Sequence, residues 1–155
     1  PSKSRAEAFW NNSNLLGSAP QGALYRRGTI MQGVARNFFI LGIVMAIAGM
    51  MLGLSMAMSH NHVQMPVHAH IMVAGWLMSA VFGFFYHLFP AARQNKLATV
   101  HFWIHAVSIV VLVISLYFVL AGNPGVEPVT AISSIVFFLG MLLFAWIAIP
   151  VINKS

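Results

Sequence analysis

Apolar residues run almost unbroken through most of this chain, and the polar ones collect between four long stretches. Residues 38–59, 65–89, 97–121 and 129–152 contain no Asp, Glu, Lys or Arg. Each is long enough to cross the hydrocarbon core of a bilayer as a helix, which takes roughly 20 residues. The runs are continuous rather than alternating, so they read as helices and not as barrel strands. The connections over 60–64, 90–96 and 122–128 are short, and Gly122, Pro124, Gly125 and Pro128 make the last one a turn. Short connections force antiparallel neighbours. The expected fold class is therefore all-α, an integral membrane four-helix up-and-down bundle over 37–152. Residues 1–36 read as a polar cytoplasmic arm, lying partly on the membrane through Trp10, Leu15, Leu16 and Tyr25, and 153–155 as a short tail.

Composition sharpens this picture. Only 6% of residues are charged, against about 25% in an ordinary soluble domain, and lipid is the solvent that tolerates so few. A net charge of +6 in a soluble chain would suggest nucleic acid. The positions of the charges argue otherwise. Lys3, Arg5, Arg26, Arg27 and Arg36 precede the first run, Arg93 and Lys96 join the second and third, and Lys154 follows the fourth. With four spans all of them fall on one side, and Glu127 lies on the other. Positive charge marks the cytoplasmic side, so both termini are expected there, in the plasma (inner) membrane of a prokaryote. No signal peptide is expected, because the first apolar run starts only near Phe38 and exceeds a signal core in length. The absence of cysteine excludes disulfides, iron–sulfur clusters and thiolate metal sites.

Candidate chemistry rests on histidine, since ionisable groups inside a membrane are costly and point to function. His68 and His70 sit at one end of the second run and His87 at the other. The separation from His68 to His87 is roughly 28 Å along a helix, so they cannot share one site. His68 and His70 are two residues apart, about 200° around a helix, and point to opposite sides. One metal ion cannot easily take both, whereas two sites flanking the helix can, and neutral imidazole is a common axial ligand of haem iron. His87 and His101 are expected to be structural, at most a hydrogen-bonded pair. His101 and His105 share one face of the third run. His60 and His62 read as solvated loop residues, although with Met58 and Met65 nearby they also form a candidate site for copper, which soft thioethers suit. Gly49, Gly53 and Ala57, and then Gly75, Ser79 and Gly83, recur every four residues as small-residue stripes that allow close helix packing.

The segment His68-Ala69-His70, followed by Gly83 and by His87-Leu88-Phe89-Pro90, resembles the tenth helix of subunit I of the haem–copper oxidases. That helix carries an H-x-H pair and ends in H-x-F-P at the same spacing. His101-Phe102-Trp103 is similar to the opening of the next helix of that subunit. Pro66-Val67-His68 resembles a Pro-Leu-His that opens the second helix in the haem-b branch. The resemblance spans roughly residues 37–152, one four-helix unit of a subunit that has three around a pseudo-threefold axis. It implies that the first histidine of H-x-H ligates one haem and the second ligates another across the helix. The copper-binding histidines of the family's sixth helix, and the tyrosine associated with them, have no counterpart. The resemblance therefore does not imply a complete oxygen reductase.

Together these features lead to the expectation of a membrane haem b protein that transfers electrons through His68 and His70. Three copies are expected to rebuild the ring as a homotrimer, with a dimer or a monomer holding haem inside its own bundle as the alternatives, an unspecified redox partner and the lipid bilayer as surroundings. Two alternatives stand beside it. One is a haem enzyme or subunit with an open position for O₂ or NO. The other is a copper-binding or copper-sensing protein using His60, His62, Met58 and Met65. The charge pattern generates one direct expectation: a topology reporter fused after Lys154 is active in the cytoplasm, and activity confined to the outside overturns the orientation.

Overall fold

The computed structural model describes residues 30–153. The arm expected over 1–36, with Trp10, Leu15, Leu16, Tyr25 and the cations Lys3, Arg5, Arg26 and Arg27, lies outside the described residues up to residue 29, as does Lys154.

Four helices are long and apolar enough to cross a membrane: Val34–Ser59, Met65–Leu88, Lys96–Leu120 and Pro124–Ile152. The chain is an all-α, multi-pass membrane protein. The first helix begins earlier than the apolar run suggests, so Arg36 sits in its opening turn. It ends at Ser59 with His60 in the left-handed region at φ 53°, a common way to terminate a helix. Pro66 occupies the first turn of the second helix, where its missing N–H removes no bond. That helix stops at Phe89, whose extended ψ of 85° is what a residue before proline adopts. Pro90 then opens a single short turn, Pro90–Arg93, within the expected loop. Asn95 caps the third helix by accepting from the Leu97 N–H at 2.9 Å. Gly122, at φ 95°, allows the chain to reverse. A 3₁₀ turn at Pro124–Val126 leads into the α-helical part of the fourth helix, Glu127–Ile152.

The second helix is not regular. Met65–His70 is α-helical, Ile71–Leu77 is π-helical, and Met78–Leu88 is α-helical again. The wide segment starts directly after His70. Wider turns of this kind rephase the side chains beyond them and occur frequently at functional sites.

Lipid tails are as apolar as leucine, so helices in a membrane associate through close packing and hydrogen bonds. Glycine supplies the closeness here. Gly83 faces the Ala35 carbonyl and Phe39, Gly75 faces Met45, Gly42 faces Trp76, Gly49 faces Met72, and Gly53 faces His68. As numbers rise along the first helix they fall along the second, so the pair is antiparallel. The small-residue stripes thus serve the seam between two helices of one chain. Ala57 is exposed and takes no part. The third and fourth helices pack likewise, with Gly140 against Ile104.

Two apolar cores follow along the bundle. One, near the Arg93 end, joins Val34, Phe38, Phe82, Tyr86, Ala98 and Ile147. The other, toward the opposite end, joins Met45, Val67, Ile71, Ile109, Leu112 and Val113. Large apolar side chains on the outer faces remain exposed, as lipid permits.

A side chain at position 83 would place its Cβ 3.2 Å from the Ala35 carbonyl oxygen, and backbone cannot move aside cheaply. Gly83→Val is expected to destabilise the fold by about 1–3 kcal/mol, as overpacking usually does. Gly125→Ala, with nothing within 4 Å, should be near neutral. Melting followed by circular dichroism in detergent measures both.

Candidate functional site

The two histidines singled out by the sequence lie on the first turns of the second helix and face different surroundings. His68 turns onto the first helix. Its ring lies over Gly53, where an added Cβ would stand 2.9 Å from Cε1, and its Nδ1 is 2.8 Å from the Gly49 carbonyl oxygen. Glycine at 53 is the condition for this seat. His70 is exposed on another side, beside Ala69, Val73 and Ala74, on an open groove of about 270 Å³. Its Nδ1 is 2.7 Å from the Pro66 carbonyl oxygen.

Both contacts fix a tautomer by elimination. A carbonyl oxygen only accepts, so each Nδ1 must carry the proton and donate it. In the neutral ring, Nε2 is then left with a free lone pair. Metal-ligating histidines regularly show this arrangement, with the distal N–H held by a backbone carbonyl that orients the ring. Among the described residues, the hydrogen bonds of both rings are those at Nδ1. His68 and His70 do not converge, in accord with their 200° separation on a regular helix.

His60, His62, Met58 and Met65 all lie at the same end of the bundle, and all are exposed. Among the described residues, no three His, Asp or Glu side chains come together as a metal-binding group.

The other half of the bundle holds a polar cluster that sequence reasoning did not anticipate. Tyr86 O–H and His101 Nδ1 are 3.0 Å apart, and Ser79 Oγ and His105 Nε2 are 2.9 Å apart. All four residues are buried. Phe38 packs against both imidazoles, with ring centroids at 5.0 and 5.6 Å, and Phe82 stands edge-on to both at 4.7 and 5.1 Å. The pairings tie the second helix to the third. His101 therefore pairs with Tyr86 and not with His87, the residue next to it. His87 Nδ1 and His101 Nε2 are buried without a hydrogen-bond partner among the described residues. The signal was present in the sequence. Ser79 and Tyr86 are seven apart, His101 and His105 four apart, so each pair shares a helix face. Antiparallel helices bring the two faces together in that order.

This cluster is a cross-link in a medium where an unpaired polar group is expensive. In a double-mutant cycle, Tyr86→Phe and His101→Phe are expected to show a coupling of roughly 0.6–2 kcal/mol, the range of interhelical hydrogen bonds in membranes. Additive effects would show that the contact contributes nothing to stability.

Comparison with family models, with curated proteins and with solved structures finds no match to this chain.

Proposed function

We propose that the chain is a membrane-bound haem b protein that passes electrons through haem held by His68 and His70. One observation carries this reading. Each ring has its Nδ1 proton engaged by a backbone carbonyl, Gly49 for His68 and Pro66 for His70, which leaves Nε2 in the state an axial ligand requires. The donor chemistry fits haem iron, and the glycine seat at 53 holds one of the two rings in a fixed plane. When bound, the haem supplies one-electron chemistry. The chain's own part is to orient the two imidazoles and hold their tautomers.

The groove beside His70 is open and its lining small, so by itself it would not enclose a haem. A second copy of the chain is the simplest second wall. In a homotrimer, a haem between neighbours would take His68 from one protomer, on its own first helix, and His70 from the next. Closed cyclic assembly is the usual result when identical units associate head to tail. Arg36, Arg93 and Lys96 belong to one end of the bundle and Glu127 to the other. This supports an orientation with both termini in the cytoplasm. The copper reading draws on Met58, His60, His62 and Met65, which lie exposed at one end of the bundle, with the Met65 N–H on the His62 carbonyl at 3.0 Å. The reading with an open O₂ or NO position differs from ours in one measurable respect, the response to CO.

The purified protein is expected to show haem b bands that CO does not alter. His68→Ala and His70→Ala should each lower haem content and shift the redox spectrum, while His101→Phe should change stability more than colour. If neither alanine variant changes haem content or spectrum, the assignment is wrong. Native mass spectrometry in detergent is expected to give a haem-loaded trimer, and a haem-loaded monomer that survives dilution would sink the shared-ligand arrangement.

A further inference from the structure

The second helix holds one residue more than a regular α-helix of its span needs. Between the α-helical segments Met65–His70 and Met78–Leu88 lies the wide stretch Ile71–Leu77. Its last bond runs from the Met78 N–H to the Val73 carbonyl, five residues back. A single π turn of this kind is an α-helix that has taken in a residue. The two α-helical segments therefore stand about one residue out of step, roughly 100° of rotation and 1.5 Å of rise.

The wide turn leaves one backbone group short. Leu77 stands at the N-cap of Met78–Leu88, so its carbonyl takes the Val81 N–H. The Val73 carbonyl already serves Met78. Only the Ser79 and Ala80 N–H groups remain for the three carbonyls of Ala74, Gly75 and Trp76. One of the three has no N–H, and among the described residues no donor from another segment bonds it. Lipid offers none.

What the wide turn secures is the seat of His68. With it in place, the ring lies over Gly53 and the Nδ1 proton rests on the Gly49 carbonyl. Drawing the turn out would make the helix α-helical throughout and give the orphan carbonyl its N–H. Met78–Leu88 is held against such a change, since Ser79 and Tyr86 bond the third helix and Gly83 lies on Ala35. The segment Met65–His70 would turn instead, by one residue. Ala69 would then lie over Gly53, and His68 would leave the Gly49 carbonyl. Each form keeps one hydrogen bond that the other lacks, so the two are closely matched. Elements with two matched packings are the ones that switch.

We propose that Ile71–Leu77 is a register switch: Met65–His70 passes between a form with His68 seated over Gly53 and an all-α form with Ala69 in its place. Its purpose rests on the haem reading above, because only the seated form holds His68 as an oriented ligand. The motion itself needs no haem, and measuring it on the haem-free chain keeps its outcome separate from that reading.

The test is relaxation-dispersion NMR of the isotope-labelled full chain in detergent, read at the backbone amides. Residues Met65–Leu77 are expected to exchange on the μs–ms scale with a minor form of about 1–10%, while Met78–Leu88 stays quiet. Deletion of Val73, exposed within the wide stretch, removes the surplus residue, leaves His68 in its seat and should abolish the exchange. Gly53→Ala fills the seat, since the added Cβ would stand 2.9 Å from His68 Cε1, and should make the all-α form the major one. Amides of Met65–Leu77 as quiet as those of Met78–Leu88 in the unaltered protein overturn the proposal, whether or not the variants fold. Exchange that survives the deletion overturns it too, as does a Gly53→Ala chain that keeps the wide turn.

Discussion

The seat of His68 on the first helix joins packing to chemistry. The ring can lie over Gly53 only because that residue has no side chain, and its Nδ1 reaches the Gly49 carbonyl at 2.8 Å only because the two backbones approach closely. In lipid there is no hydrophobic force to press one helix on another, so such close approaches and the hydrogen bonds they permit hold the bundle together. The contact at Gly49 does both tasks. It ties the second helix to the first, and it keeps the imidazole proton on Nδ1, which leaves the lone pair on Nε2. The other glycine contacts along the seam, at Gly42, Gly75 and Gly83, keep the pair in the register that this seat needs.

The histidines divide into two populations with opposite burdens. His101 and His105 are enclosed by phenylalanines and turned to hydroxyls of the neighbouring helix. There they act as neutral hydrogen-bonding groups, because a charged imidazole in such surroundings is far more costly than a neutral one. His68 and His70 use only backbone acceptors close at hand, one across the seam and one a turn back in its own helix. Backbone carbonyls leave the second nitrogen uncommitted, whereas the hydroxyl partners of the inner pair leave the tautomer open. The π-helical stretch between the two groups, Ile71–Leu77, rephases the helix. Ser79 and Tyr86 can then face the third helix although His68, earlier on the same helix, faces the first.

The bundle is also polarised end to end. Arg36, Arg93 and Lys96 lie at one end, and at the other the C-termini of two helices border an uncharged cleft. Helix direction alone generates part of this difference, since an antiparallel bundle with its first and third helices running the same way places both of their carbonyl ends together.

Four spans and their antiparallel order could be read from the amino acids alone, because the bilayer demands long uncharged runs. The opposite directions of His68 and His70 were also legible, since the segment Met65–His70 is α-helical and two residues turn about 200°. The resemblance of His68-Ala69-His70 and His87-Leu88-Phe89-Pro90 to an oxidase helix supplied the haem expectation and nothing in the fold itself. The partners of the side chains were legible only as matching spacings, such as Ser79 and Tyr86 against His105 and His101. A hydropathy run does not announce a π-helical stretch, and that stretch decides which residues beyond it face which neighbour. Hence His101 meets Tyr86 rather than His87, Ser79 leaves its glycine stripe to bond His105, and the small residues of the first two helices serve each other. Local composition fixes which residues enter the membrane. Which of them touch depends on how close two backbones come, and only the folded chain decides that.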